Sequence, residues 1–158
     1  MTKKYEFTGV TKDYFGVTLK QIRALVTITG VVTAGDVGGW VESESNLSQV
    51  YGNALVSGNA RVHGDAWVYG NARVHGNAQV YGDSSLFWAS KVGTENGTLT
   101  VFNSQDGTLT VTRGCFIGSV DDFLDKSKRV HDEKTHREYC LLVEVAKSRI
   151  VCLDGENK

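Results

Sequence analysis

Residues 68–83 read VYGNARVHGNAQVYGD, and within them valine, glycine, an amide or acid, and alanine return at every sixth position. Extended both ways, the alignment puts Val50, Val56, Val62, Val68, Val74, Val80 and Leu86 at one position. Two residues later stand Gly52, Gly58, Gly64, Gly70, Gly76 and Gly82. Asn53, Asn59, Asp65, Asn71, Asn77 and Asp83 come next, then Ala54, Ala60, Ala66, Ala72, Ala78 and Ser84. A period of six is neither a heptad nor an unbroken strand alternation. So short a repeat, with a turn in each copy, is the signature of a β-solenoid.

Geometry turns this pattern into a shape. Ala-x-Val is extended, and its Ala and Val share one side because strand side chains alternate. Gly-Asn turns the corner, since both residues tolerate the left-handed conformation. Three such segments close a triangular coil of 18 residues, stacked at about 4.8 Å with the valines as an interior ladder.

The Val-x-Gly-Asn/Asp-Ala-x hexads resemble the hexapeptide-repeat, left-handed β-helix family. They depart from its commonest form, which places the small residue directly after the aliphatic one. Together YEFTG, QIRAL, AGDVGGWVESESNLS and the YGNA hexads resemble a group of phage-encoded hexapeptide-repeat proteins, with Trp40 where a smaller aromatic is expected. The resemblance implies a left-handed coil and a homotrimer. It also implies a phage origin, and so a protein working in the host cytoplasm.

Around the repeat, KYEFTG (4–9) and GVTLKQIRAL (16–25) read as two strands with a turn near 12–15. Residues 35–48 read as an irregular first coil, with Gly38 and Gly39 turning and Val37, Val41 and Leu47 inward. After the repeat, TLTVF and TLTVT alternate about an NSQDG turn. A helix opens at a Ser119/Asp122 cap with Val120, Phe123 and Leu124 inward. A second begins near Thr135, with Tyr139, Leu142, Val143, Ala146 and Ile150 at helical spacing. The expected fold is mainly β: an N-terminal hairpin (1–29), a short left-handed parallel β-helix (30–88) and a C-terminal ββαα unit (89–158), either a cap or a small domain. GCFIGSVDDF within that unit resembles the end of the same phage group.

Composition narrows function. The 158 residues carry a formal charge of -1, 18 glycines and no proline, so no excess of one sign points to a nucleic-acid duplex or a membrane. No apolar run reaches the roughly 18 residues of a membrane span, and the start lacks a signal-peptide core, so a cytoplasmic protein is expected. Cys115, Cys140 and Cys152 lack CxxC spacing and read as small, partly buried hydrophobes. No Walker loop or dinucleotide fingerprint appears, and no metal or cofactor is expected. His131 and His136 read as part of a solvated loop.

Positions 18 apart share a face of the coil. One face carries Gln49 and Tyr51, Trp67 and Tyr69, then Ser85 and Phe87. A second carries Leu55, Ser57, Arg73 and His75, and the third Arg61, His63, Gln79 and Tyr81. An exposed aromatic ladder meets either another surface or a stacked ligand. The candidate ligand-binding set is therefore Tyr51, Trp67, Tyr69 and Tyr81 for a base, with Arg61, His63, Arg73 and His75 for phosphate. Three functions follow. The first is a non-enzymatic trimer holding a small ligand in intersubunit grooves, most concretely a phage sponge that sequesters a nucleotide immune signal of the host as an anti-defence device. The second is a structural scaffold or host-protein interaction module. The third is a hexapeptide-repeat acyltransferase using His63 or His75 as general base; an enzyme is the less expected outcome, because those histidines occupy different faces and no loop interrupts the hexads to shape an acceptor pocket.

Overall fold

The structure is a computed structural model that describes residues 3–49, 52–82 and 85–150. Tyr51 and Cys152 lie outside the described residues. The fold is mainly β with two helices.

The N-terminal hairpin forms as the alternation demands. Strands β1 (Tyr5–Tyr14) and β2 (Val17–Ala24) pair antiparallel. Phe15 and Gly16 make a two-residue turn with φ of 47° and 84°, the paired positive values of a type I′ hairpin. Strand β3 (Val37–Val41) joins β2 antiparallel, with a register shift between Gln21 and Arg23. That bulge breaks the alternation and leaves Val37 56% exposed, where an inward position was expected, whereas Val41 and Leu47 are buried. Gly38 and Gly39 do not turn the chain either. They lie within β3, and a Cβ on Gly39 would sit 2.9 Å from both the Ala60 carbonyl and the Val56 side chain. They are small so that the strand can approach the repeat closely.

The repeat segment consists of two-residue strands: β4 (Leu55–Val56), β5 (Arg61–Val62), β6 (Arg73–Val74) and β7 (Gln79–Val80). β4 pairs parallel with β6 and β5 with β7, each at an offset of 18 residues. β3 pairs parallel with β5 at an offset of 21, and Leu47 bridges Val68 at the same offset. Three extra residues therefore fall between Leu47 and Leu55. The hydrogen-bonded sheets stay separate, a five-stranded one in the order β1-β2-β3-β5-β7 and the two-stranded β4-β6. At the corners Gly52 and Gly70 have φ of +66° and +62°, and a Cβ on Gly52 would collide with the Gly70 carbonyl at 2.0 Å. No side chain fits at Gly52.

Inside, Val56, Val62, Val68, Val74 and Val80 are fully buried, with the alanines Ala60, Ala66, Ala72 and Ala78 beside them. Each buried Val contributes about 1.5–3 kcal/mol, so the ladder is a substantial source of stability. Both ends of the ladder are closed. At one, Tyr5 is buried and its hydroxyl donates to the carbonyls of Glu44 and Leu47; burial, then the Glu44 charge, pushes its phenol far up. At the other, Phe102 enters the same core with no exposure.

Asn46 stabilises the segment that follows β3. It is 1% exposed, and it ends a short 3-10 turn, Glu44–Asn46. Its amide donates to the carbonyls of Ala66 and Gly64 and its oxygen accepts from the amides of Glu42 and Ser43. A buried amide thus bridges backbone groups of this segment to those of the repeat.

The C-terminal part is larger than the ββαα unit expected. Strands β8 (Leu86–Val92), β9 (Gly97–Asn103), β10 (Leu109–Arg113) and β11 (Phe116–Ser119) form an antiparallel sheet in the order β11-β10-β9-β8. Helices α1 (Val120–Val130) and α2 (Glu133–Arg149) follow, capped by Ser119 and Asp132. Their inner faces bury Phe123, Tyr139, Val143 and Ala146 in a second core with Val101 and Val111. His136 is not a loop residue. It sits on α2 and bonds Ser127 at 3.0 Å, while His131 caps the end of α1. Cys115 is exposed, where burial was expected. Among the described residues no helix is long and apolar enough to cross a membrane.

Candidate functional site

The eight residues singled out from the repeat do not form one site. Tyr51 lies outside the described residues; the other seven fall into three groups.

Arg61, His63 and Tyr81 come together on the face of β3, β5 and β7, beneath the end of the N-terminal hairpin. The Arg61 guanidinium lies 4.4 Å from the centre of the Tyr14 ring. The His63 ring is 6.0 Å from Tyr14 and 6.3 Å from Tyr81. The His63 imidazole is hydrogen-bonded through Nε2 to the Gln79 side-chain amide at 2.9 Å. Burial holds its pKa below the usual histidine value; Glu42 opposes this and Arg61 reinforces it. Lys12 completes the covering, its ammonium 4.1 Å above Trp40. These groups are occupied with one another, and they fasten the hairpin to the repeat.

Trp67 and Tyr69 are different. They flank the buried Val68 and point out, 46% and 41% exposed. Their ring centres are 4.3 Å apart at 39°, and Tyr69 meets Trp88 edge-on at 4.6 Å. The expected next rung was Phe87. Instead the chain leaves the 18-residue register after Leu86 to enter β8, which turns Phe87 into the C-terminal core and brings Trp88 to the ladder. An open hollow of about 580 Å³ lies beside Trp67, bounded by Glu44, Gln49 and Asp65. Its acids would repel a phosphate on that side.

Arg73 lies just past the Gly70–Asn71 corner that follows Tyr69. It lines a cleft of about 250 Å³ with Arg113, Asn53, Asn71, Asn96 and Thr98, and no carboxylate is in the lining. Arg73 Nη1 donates to the Gly114 carbonyl at 3.2 Å, and Arg113 Nε to the Tyr139 hydroxyl at 3.2 Å. Among the described residues neither guanidinium forms an ion pair with a carboxylate. Two arginines lining one cleft that holds no carboxylate suit an anionic ligand. His75, half-buried, is held below the usual histidine value by burial and then by the charge of Arg73.

Sequence reasoning missed Trp88, Arg113 and the asparagines. Asn53 and Asn71 were legible as an 18-residue pair, and Asn71 Oδ1 does accept from the Asn53 amide at 3.0 Å. Arg113 had no such signal, since it reaches the cleft only through the docking of β9 and β10. Also unforeseen is a cavity of about 360 Å³ between the hairpin and the first coil, lined by Tyr5, Ile22, Ile28, Val32, Leu47 and Val56.

Residues 48–64 and 66–82 match the YdcK beta solenoid repeat family. The segment bearing Trp67, Tyr69 and Arg73 is thus similar to a β-solenoid repeat. No curated protein matches the chain.

Proposed function

We propose that this chain is a non-enzymatic binding protein, a left-handed β-solenoid that assembles as a homotrimer and holds a nucleotide. The observation that carries the reading is the half-exposed Trp67–Tyr69 pair, extended by Trp88, one corner away from two arginines without carboxylate partners. Such aromatic platforms receive bases whatever their sequence, and the arginines supply the charge that phosphates need. The hand and the trimer are carried by the hexapeptide resemblance, and the 18-residue parallel register suits such a coil. Binding is favoured over acyl transfer because His63, a base for that chemistry, gives its Nε2 to Gln79 beneath the hairpin. In its most concrete form the protein is a phage sponge, removing a nucleotide signal from the host cytoplasm without cleaving it.

The test is a fluorescence titration of the purified protein with linear and cyclic nucleotides. At least one should quench the tryptophans, and Trp67→Ala and Tyr69→Ala should each weaken binding about tenfold or more, as loss of a stacked base does. No binding by any nucleotide, or an affinity indifferent to both substitutions, would overturn the reading.

A further inference from the structure

We infer that the cleft between Arg73 and Arg113 is a binding site for a compact, doubly charged anion of the phosphate class, built jointly by the repeat segment and the C-terminal sheet. The inference deepens the binding reading above by placing the ligand's phosphate, but it stands on the cleft's own chemistry.

Two observations carry it. The first is charge. Arg73 comes from β6 and Arg113 from the end of β10, yet both line one cleft of about 250 Å³ whose other polar groups are neutral amides and a hydroxyl. Glu95 borders Arg113 in a neighbouring hollow, but it forms no ion pair with that arginine. Two arginines in the lining of one cleft, with no carboxylate among its lining residues, give it a local positive potential that a ligand can neutralise.

The second is rigidity. Arg73 is fixed at its side chain by the Gly114 carbonyl and at its backbone by Thr100 and Thr112. Arg113 is fixed by the Tyr139 hydroxyl and the Val92 carbonyl. These bonds use a minority of the five donors on each guanidinium and leave the rest for an anion. Asn71 spends its oxygen on the Asn53 amide, which leaves its NH2 group as a donor. The site is preorganised to donate hydrogen bonds and cannot easily relax away from its charge.

The experiment titrates inorganic phosphate and pyrophosphate into the full chain by isothermal calorimetry at two salt concentrations. The decisive variant is Asn71→Asp. It keeps the acceptor for the Asn53 amide, and Asp already stands at the matching position of another hexad, Asp65, so the fold is retained while a negative charge enters the cleft. Pyrophosphate should bind with an affinity that falls as salt rises. Asn71→Asp should weaken it at least tenfold with an unchanged melting temperature, and Arg73→Gln should do the same. No binding by the native chain, or binding equal in both variants, would overturn the site. Pyrophosphate binding without any nucleotide binding would keep the cleft and sink the nucleotide reading. Nucleotide binding that ignores Asn71→Asp would sink the cleft and leave the aromatic platform.

Discussion

The hydroxyl of Thr112 donates to the main-chain carbonyl of Arg73 at 2.8 Å. With the Arg73 amide donating to the Thr100 hydroxyl at 3.1 Å, the peptide groups of one cleft arginine are held by the sheet that carries the other. Thr112→Val keeps the volume and removes the donor. It should cost about 1 kcal/mol in urea denaturation and weaken pyrophosphate binding although both arginines remain. Unchanged binding would mean that the cleft does not depend on this clamp.

Asn46 ties the segment after β3 to the repeat through four backbone groups. Asn46→Leu removes a partner from these four groups, of which the Glu42 amide keeps a second bond, to the Val62 carbonyl. The expected loss is about 2–3 kcal/mol, since a buried group left unpaired costs its full desolvation. Urea unfolding measures it, and a loss below about 0.5 kcal/mol, the range of ordinary surface changes, would contradict the bridging role.

Phe102 closes the ladder from the C-terminal side. Phe102→Ala should destabilise by about 3–5 kcal/mol and should expose the repeat and the C-terminal sheet to hydrogen exchange together, because Phe102 belongs to the repeat's core and lies on β9. Loss of protection in the sheet alone would show that the two parts open independently.

His63 and His75 both titrate below the usual histidine range, first because of burial. A folded pKa below the unfolded one means that the unfolded chain binds the extra proton first. Their stability is therefore complete above the unfolded value of about 6.5 and is lost as pH falls through the folded values. Asp106 and Asp132 are lowered carboxylates and lose their contribution only below the carboxylate range. The urea midpoint should fall between pH 7.5 and 5.5, and His63→Gln combined with His75→Gln should flatten that fall. An equal fall in the double variant would assign the effect elsewhere.

What could be read from the sequence was whatever repeats or alternates. The Val and Ala ladder, the corner glycines, the hairpin and the Ser119 cap each follow from a local pattern with one physical solution. Gly38 and Gly39 misled because glycine permits a turn and a close approach alike; only the neighbouring Ile22, Val56 and Ala60 decide between them. Strands β8 and β11 were missed because LFWASKV continues the repeat for its first residue and FIGS is too short to alternate visibly. The cleft was half legible. Arg73 follows from its outward position in the hexad, whereas Arg113 becomes its neighbour only when β10 docks, a long-range event that no spacing encodes.

The proposed function requires a solenoid oligomer that retains a nucleotide. Native mass spectrometry of gently purified protein, compared with the same sample denatured, tests it most directly. A nucleotide-binding trimer will release a nucleotide-sized species, or take one up stoichiometrically when nucleotides are added. A stable monomer that neither carries nor acquires a nucleotide would contradict it.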